Sequence, residues 1–61
     1  AILLCERAIK AYPQNAEAYY NLGGYYMTLQ NLEKAREYWR KALQINPNYK
    51  EAKEWLERIG G

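Results

Sequence analysis

Residues 8–18 read AIKAYPQNAEA, and residues 42–52 read ALQINPNYKEA. The two segments lie 34 positions apart and share alanine, proline and a Glu-Ala pair at matching positions. The same shift places Leu22 over Leu56. A self-match with a period of roughly 20–50 residues is typical of proteins that stack one supersecondary unit per repeat.

The residues between these copies have the spacing of two helices. Small and apolar residues recur every three or four positions, as one face of a helix requires. In residues 16–29 they are Ala18, Tyr19, Leu22, Gly23, Tyr26 and Leu29, and in residues 32–45 they are Leu32, Ala35, Trp39, Ala42 and Leu43. The connection between the two stretches is so short that it predicts an antiparallel helical hairpin.

Asparagine stands immediately before each predicted helix. Asn15 and Asn31 suit the N-cap position, where a side-chain oxygen accepts a backbone N–H. Pro47 biases the residue before it away from helical geometry and so ends the second helix. Asn48, with Glu51 three residues later, predicts a capped start for a further helix.

The chain resembles the tetratricopeptide repeat (TPR) family. The residues that carry the resemblance are Tyr19, Leu22, Gly23, Tyr26, Ala35, Trp39, Ala42 and Pro47. It implies an all-α fold, a TPR helical-hairpin solenoid fragment of about four antiparallel helices, near residues 1–12, 16–29, 32–45 and 49–59, without strands. Trp39 is expected in the core. Gln30 departs from the pattern, because the family usually has glycine at the end of the first helix.

The repeat register divides the chain into three parts. Residues 1–12 match the second helix of a truncated repeat, residues 13–48 form one complete TPR, and residues 49–61 are predicted to be a C-terminal capping helix. The first part is apolar on much more than one side. We expect either a truncated array or self-association of copies through a patch made of Ile2, Leu3, Leu4 and Ile9.

The composition argues against catalysis and cofactor binding. The chain lacks histidine, aspartate and serine, so no serine or cysteine triad can form within it, and no zinc site is expected. Cys5 is the sole cysteine, to be interpreted as a small buried residue or as a reactive thiol. The net charge of +2 comes from interspersed charges, and no apolar run is long enough to span a membrane. We therefore expect no enzyme activity, cofactor, nucleic-acid partner or membrane partner.

The resemblance implies that first helices of successive repeats line a concave groove that binds a peptide or helix. The residues opposite the packing face of the first helix, with their counterparts on the last, predict that groove: Glu17, Tyr20, Asn21, Gly24, Met27, Thr28, Glu51 and Glu54. An ordinary solvated surface is the alternative interpretation of the same residues.

The partner is expected to be a protein or peptide, and self-assembly into a homo-oligomer is the alternative function. One TPR subclass holds C-terminal carboxylates with a clamp of Lys, Asn and Arg. Asn21 matches one clamp position, but Tyr20, Gly24 and Trp55 stand where the other groups are expected, so a carboxylate clamp is not supported. The glutamates on this face also disfavour an acidic ligand.

Overall fold

The computed structural model describes residues 2–60. Four helices make up this part of the chain: α1 (Ile2–Ala11), α2 (Ala16–Thr28), α3 (Leu32–Ile45) and α4 (Lys50–Arg58). No strand occurs within it, which confirms the predicted all-α fold. The bounds of α3 and the first residue of α2 are as predicted, whereas the last residues of α1 and α2 and both bounds of α4 lie one residue inside the prediction. Ala1 and Gly61, included in the predicted first and last parts, lie outside the described residues.

Side-chain caps fix the beginnings of two helices. The Ala18 amide donates to Asn15 Oδ1 at 3.2 Å, and the Lys34 amide donates to Asn31 Oδ1 at 3.3 Å. Both predicted caps are therefore confirmed.

The predicted cap at Asn48 is wrong. The N-cap of α4 is Tyr49, whose side chain makes no capping hydrogen bond. Asn46 Oδ1 instead accepts the Asn48 amide at 3.2 Å, and the Asn46 carbonyl accepts the Tyr49 amide at 3.1 Å. This tight turn occupies residues 46–49, so the helix begins one residue later than a cap at Asn48 requires.

A Schellman motif ends α2. Gln30 has a φ of +63°, in the left-handed region that glycine adopts most readily. Its amide donates to the Met27 carbonyl at 2.9 Å, and the Asn31 amide donates to the Tyr26 carbonyl at 2.8 Å. The turn therefore forms with glutamine in the position where the family usually has glycine, at some conformational cost.

The core lies where α2, α3 and α4 meet. Trp39 is 1% exposed, and its indole Nε1 donates to the Tyr20 carbonyl at 3.0 Å. A Cβ atom added to Gly23 would lie 2.6 Å from the Trp39 ring, so only glycine allows this close approach. The other buried residues are Ala18, Leu22, Ala35, Ala42, Ala52 and Leu56. Since α1 contributes no buried residue, it stands outside this core.

Candidate protein-binding groove

A cavity of about 350 Å³ lies between α2 and α4. Five of the predicted groove residues line it: Tyr20, Asn21, Gly24, Met27 and Thr28. Tyr25, Trp39 and Trp55 complete its wall. The helices thus bring the central part of the predicted groove together around one concave space.

Gly24 keeps this cavity open. A Cβ atom added there would meet nothing within 4 Å, in contrast to its neighbour Gly23. One turn later, Thr28 Oγ1 donates to the Gly24 carbonyl at 3.1 Å, which engages both groups. The Gly24 backbone therefore lines the cavity, and no side chain at this position fills it.

A series of rings runs from Tyr49 to Trp55, and three of them, Tyr20, Trp39 and Trp55, line the cavity. The Tyr20 ring lies 5.1 Å from the Tyr49 ring and 6.5 Å from that of Trp39, measured between centroids. The Trp39 and Trp55 rings stack at 5.6 Å, and the Arg58 guanidinium lies 5.0 Å from the Trp55 centroid. Aromatic walls of this kind give a rigid apolar surface at low cost in side-chain entropy.

The expectation that Tyr20 and Met27 lie opposite the packing side is wrong in one respect. Both are half-buried and pack against the core. The reason is that α4 brings Tyr49 and Trp55 to the same side of α2, so that the groove wall and the edge of the core coincide. Tyr20 therefore serves both.

The three predicted glutamates do not line the cavity. Glu17, Glu51 and Glu54 are exposed. Burial raises the pKa of the Tyr49 hydroxyl above its ordinary value, and the carboxylates of Glu17 and Glu51 raise it further. The charge of both glutamates therefore acts on the Tyr49 hydroxyl, and none of these three residues lines the cavity.

A second cavity, of about 240 Å³, lies between α1 and α2. Asn21 and Tyr25 line both cavities, so this edge of α2 separates them. Glu17 contributes to the second one, together with Cys5, which is half-buried.

The four residues of the predicted self-association patch divide into two pairs. Leu3 and Leu4 are 60% and 66% exposed, whereas Ile2 and Ile9 are half-buried. The exposed pair gives α1 an apolar surface next to the second cavity, which Leu4 also lines.

Tyr25, Trp39 and Trp55, which line the cavity, and Tyr49, which stacks on Tyr20, were absent from the predicted groove. For Trp55 a signal was available, because the 34-residue shift places it over Asn21, a groove position. Tyr49 carried no such signal, since its counterpart under the shift is the helix cap Asn15.

Within residues 2–60 there is no cluster of three or more side chains suited to hold a metal ion. In the same part of the chain, no helix has the length and apolar character needed to cross a membrane.

Comparison with known proteins adds two findings. A protein-family model described as a tetratricopeptide repeat matches residues 16–49, more than half of the chain. The chain is also 41% identical over 54 residues to a photosystem I assembly protein, Ycf3, of Cyanidioschyzon merolae. That match covers 87% of this chain, and the chain spans 34% of the length of that relative. No solved structure matches the chain.

Proposed function

The chain belongs to the tetratricopeptide repeat family, and we propose that the groove between α2 and α4 binds a protein segment through one bulky apolar side chain. The family and the assembly-protein relative support a general role in protein–protein interaction or assembly. The proposed contact makes that role specific to a place on this chain.

The open cavity over Gly24 is the observation that carries the proposal. Its volume of about 350 Å³ lies near the lower end of the range for ligand pockets, roughly 300–1,000 Å³. A space of that size suits a single anchoring side chain of a larger partner. Trp55 and Met27 offer apolar contact, and the exposed Asn21 can donate to and accept from a partner backbone.

The packing around Gly24 provides a direct test. Gly24→Leu would place a side chain in the cavity, because a Cβ added there meets no neighbouring atom within 4 Å. Random peptides displayed on phage are selected against the unmodified chain, and the enriched peptides are titrated against both proteins. We expect them to contain a bulky apolar residue and to lose at least about tenfold in affinity for Gly24→Leu, since an anchor is typically worth about 2 kcal/mol or more.

A matched substitution supplies the control. Lys41→Leu adds the same side chain at an exposed position of α3, outside the groove. It should leave the affinity unchanged, and far-ultraviolet circular dichroism should show both variants folded. Failure to enrich any peptide, or equal losses in the two variants, would contradict the groove assignment.

Self-association through α1 is a second candidate function. It is favoured by Leu3 and Leu4, which expose most of their surface on a helix without a buried residue. We expect Leu3→Glu with Leu4→Glu to convert a dimer into a monomer in light scattering. A chain that is monomeric at about millimolar concentration, or a dimer that survives the double change, would rule this out.

A further inference from the structure

The rings that line the groove present their edges to the cavity. The Trp39 ring stacks against Trp55 at 5.6 Å between centroids, and the Arg58 guanidinium lies over the Trp55 ring at 5.0 Å from its centroid. Both neighbours approach a face of the indole, so its edge is the part left to line the cavity. Tyr20 is held in a similar way, because its ring stacks on Tyr49 at 5.1 Å and lies 6.5 Å from Trp39.

Ring edges and ring faces attract different groups. The edge of an aromatic ring carries partial positive charge, and its face carries partial negative charge. A ring that enters the cavity can therefore place its face against the edges of Trp55 and Tyr20, which is the edge-to-face arrangement that aromatic pairs favour. An aliphatic side chain lacks this electrostatic match. A basic side chain would need a ring face, and Arg58 already lies over Trp55.

A thioether in the cavity wall favours the same class of ligand. Met27 lines the cavity and is half-buried. Methionine sulfur makes favourable contacts with aromatic rings, often at the ring edge, and its flexible side chain adapts to the group that it meets. At Gly24 the absence of a side chain leaves room for a flat ring to lie against the helix backbone. The cavity therefore offers an aromatic ring contacts at its face and at its edge.

From these contacts we infer that the anchor of the bound protein segment is an aromatic side chain rather than an aliphatic or basic one. This inference rests on the proposed function, since it names the class of side chain that enters the cavity over Gly24. Asn21 lines the cavity and is exposed, so its amide can pair with the hydroxyl of a tyrosine anchor or the indole N–H of a tryptophan anchor.

Two versions of one peptide provide the test. A peptide selected against the unmodified chain is synthesised with phenylalanine at its anchor position and, separately, with cyclohexylalanine, which has a saturated ring and no π-system. Both affinities are measured by NMR titration of the Gly24 amide. The ratio of the two affinities is compared between protein variants, so that the greater hydrophobicity of cyclohexylalanine cancels.

We expect Trp55→Leu to lower the ratio of phenylalanine to cyclohexylalanine affinity by about two- to tenfold, the effect of losing an edge-to-face contact. Met27→Leu nearly conserves volume and should lower the ratio by about twofold, because it removes the sulfur. This second variant decides the matter if Trp55→Leu does not fold. Tyr12→Leu, at an exposed position outside the cavity, is the matched control and should leave the ratio unchanged.

The outcomes separate the two proposals. A ratio that stays the same in Trp55→Leu and in Met27→Leu, with binding that Gly24→Leu still weakens, would overturn the aromatic inference and leave the groove assignment standing. Selected peptides whose anchors are all aliphatic or basic would lead to the same conclusion. If no selected peptide shifts the Gly24 amide, both proposals fail.

Discussion

Gly23 and Gly24 are neighbours on α2, but they face opposite surroundings. A side chain at Gly23 would collide with the Trp39 ring at 2.6 Å, whereas a side chain at Gly24 would enter empty space. Successive residues of a helix point about 100° apart, so one step along the chain leads from the core to the groove. A single helix thus holds the fold with one face and presents a cavity with the next.

The two faces are joined through Tyr20. Its carbonyl accepts the Trp39 indole N–H, and its ring lies between Trp39 and Tyr49. The wall of the groove is therefore fixed by the same tryptophan that fills the core. A substitution can affect the core and the groove separately only at a position outside this shared wall. Gly23 and Gly24 are two such positions.

The largest effect is expected on the packed face. Trp39→Ala should cost about 3–5 kcal/mol, because it empties a buried site and removes the hydrogen bond to Tyr20. At roughly 0.05–0.15 kcal/mol per residue, a chain of this size has little stability beyond that. Far-ultraviolet circular dichroism should show a largely unfolded chain. Trp55→Ala, at the half-exposed end of the same stack, should melt at a clearly higher temperature; equal losses would mean that Trp39 is not the centre of the core.

A smaller effect should separate the two glycines. Gly23→Ala is expected to destabilise the chain by about 1–3 kcal/mol, since the Trp39 ring must move. Gly24→Ala should instead stabilise it by about 0.5–1 kcal/mol, because alanine has the higher helix propensity and meets no atom. Thermal and urea denaturation of the pair measure both changes. Two shifts of the same sign would show that the faces of α2 do not differ as the packing indicates.

Much of the packed face could be predicted from the sequence, and less of the groove. Trp39, Ala35 and Ala42 follow the helical period of the hairpin, and their burial was predictable because that period is a local property. The cavity wall depends on how α4 lies against α2, which brings Trp55 to the cavity that Tyr20 lines. Such contacts between distant segments have no period in either helix. The Asn48 cap failed for a different, local reason, since Asn48 is held in a turn in which Asn46 Oδ1 accepts its amide.

The turn after α2 offers a third and smaller change. Gln30→Gly should raise stability by about 0.5–1 kcal/mol, since glycine adopts a φ of +63° without the strain that a side chain imposes. Leu29→Gly is the control, because Leu29 has a φ of −80° and gains nothing from glycine. The melting temperature should rise in Gln30→Gly and fall in Leu29→Gly. A loss of stability in Gln30→Gly would show that the flexibility of glycine in the unfolded chain outweighs the strain.

The smallest effect compares two tyrosines whose hydroxyls have raised pKa values. Burial raises the pKa of Tyr38 first, followed by the influence of Tyr26 and of the Glu6 and Glu37 carboxylates, against a lowering by Lys34. Burial also raises the pKa of Tyr49, with Glu17 next.

In both cases the folded chain holds the phenolic proton more tightly than the unfolded chain. The stability that this provides is complete below the ordinary value of 10.0 and is lost as the pH rises through the raised pKa. Thermal melts should therefore fall above about pH 10, and Tyr38→Phe and Tyr49→Phe should each reduce the fall.

The two tyrosines differ in the charges that act on them, which allows each to be addressed separately. Glu17→Gln should lower the pKa of Tyr49 and leave Tyr38 unchanged, whereas Glu37→Gln should act on Tyr38 alone. Ultraviolet titration of the tyrosinate band, made on the Tyr38→Phe and Tyr49→Phe backgrounds, measures both. A Tyr49 pKa that does not respond to Glu17→Gln would place that carboxylate away from Tyr49.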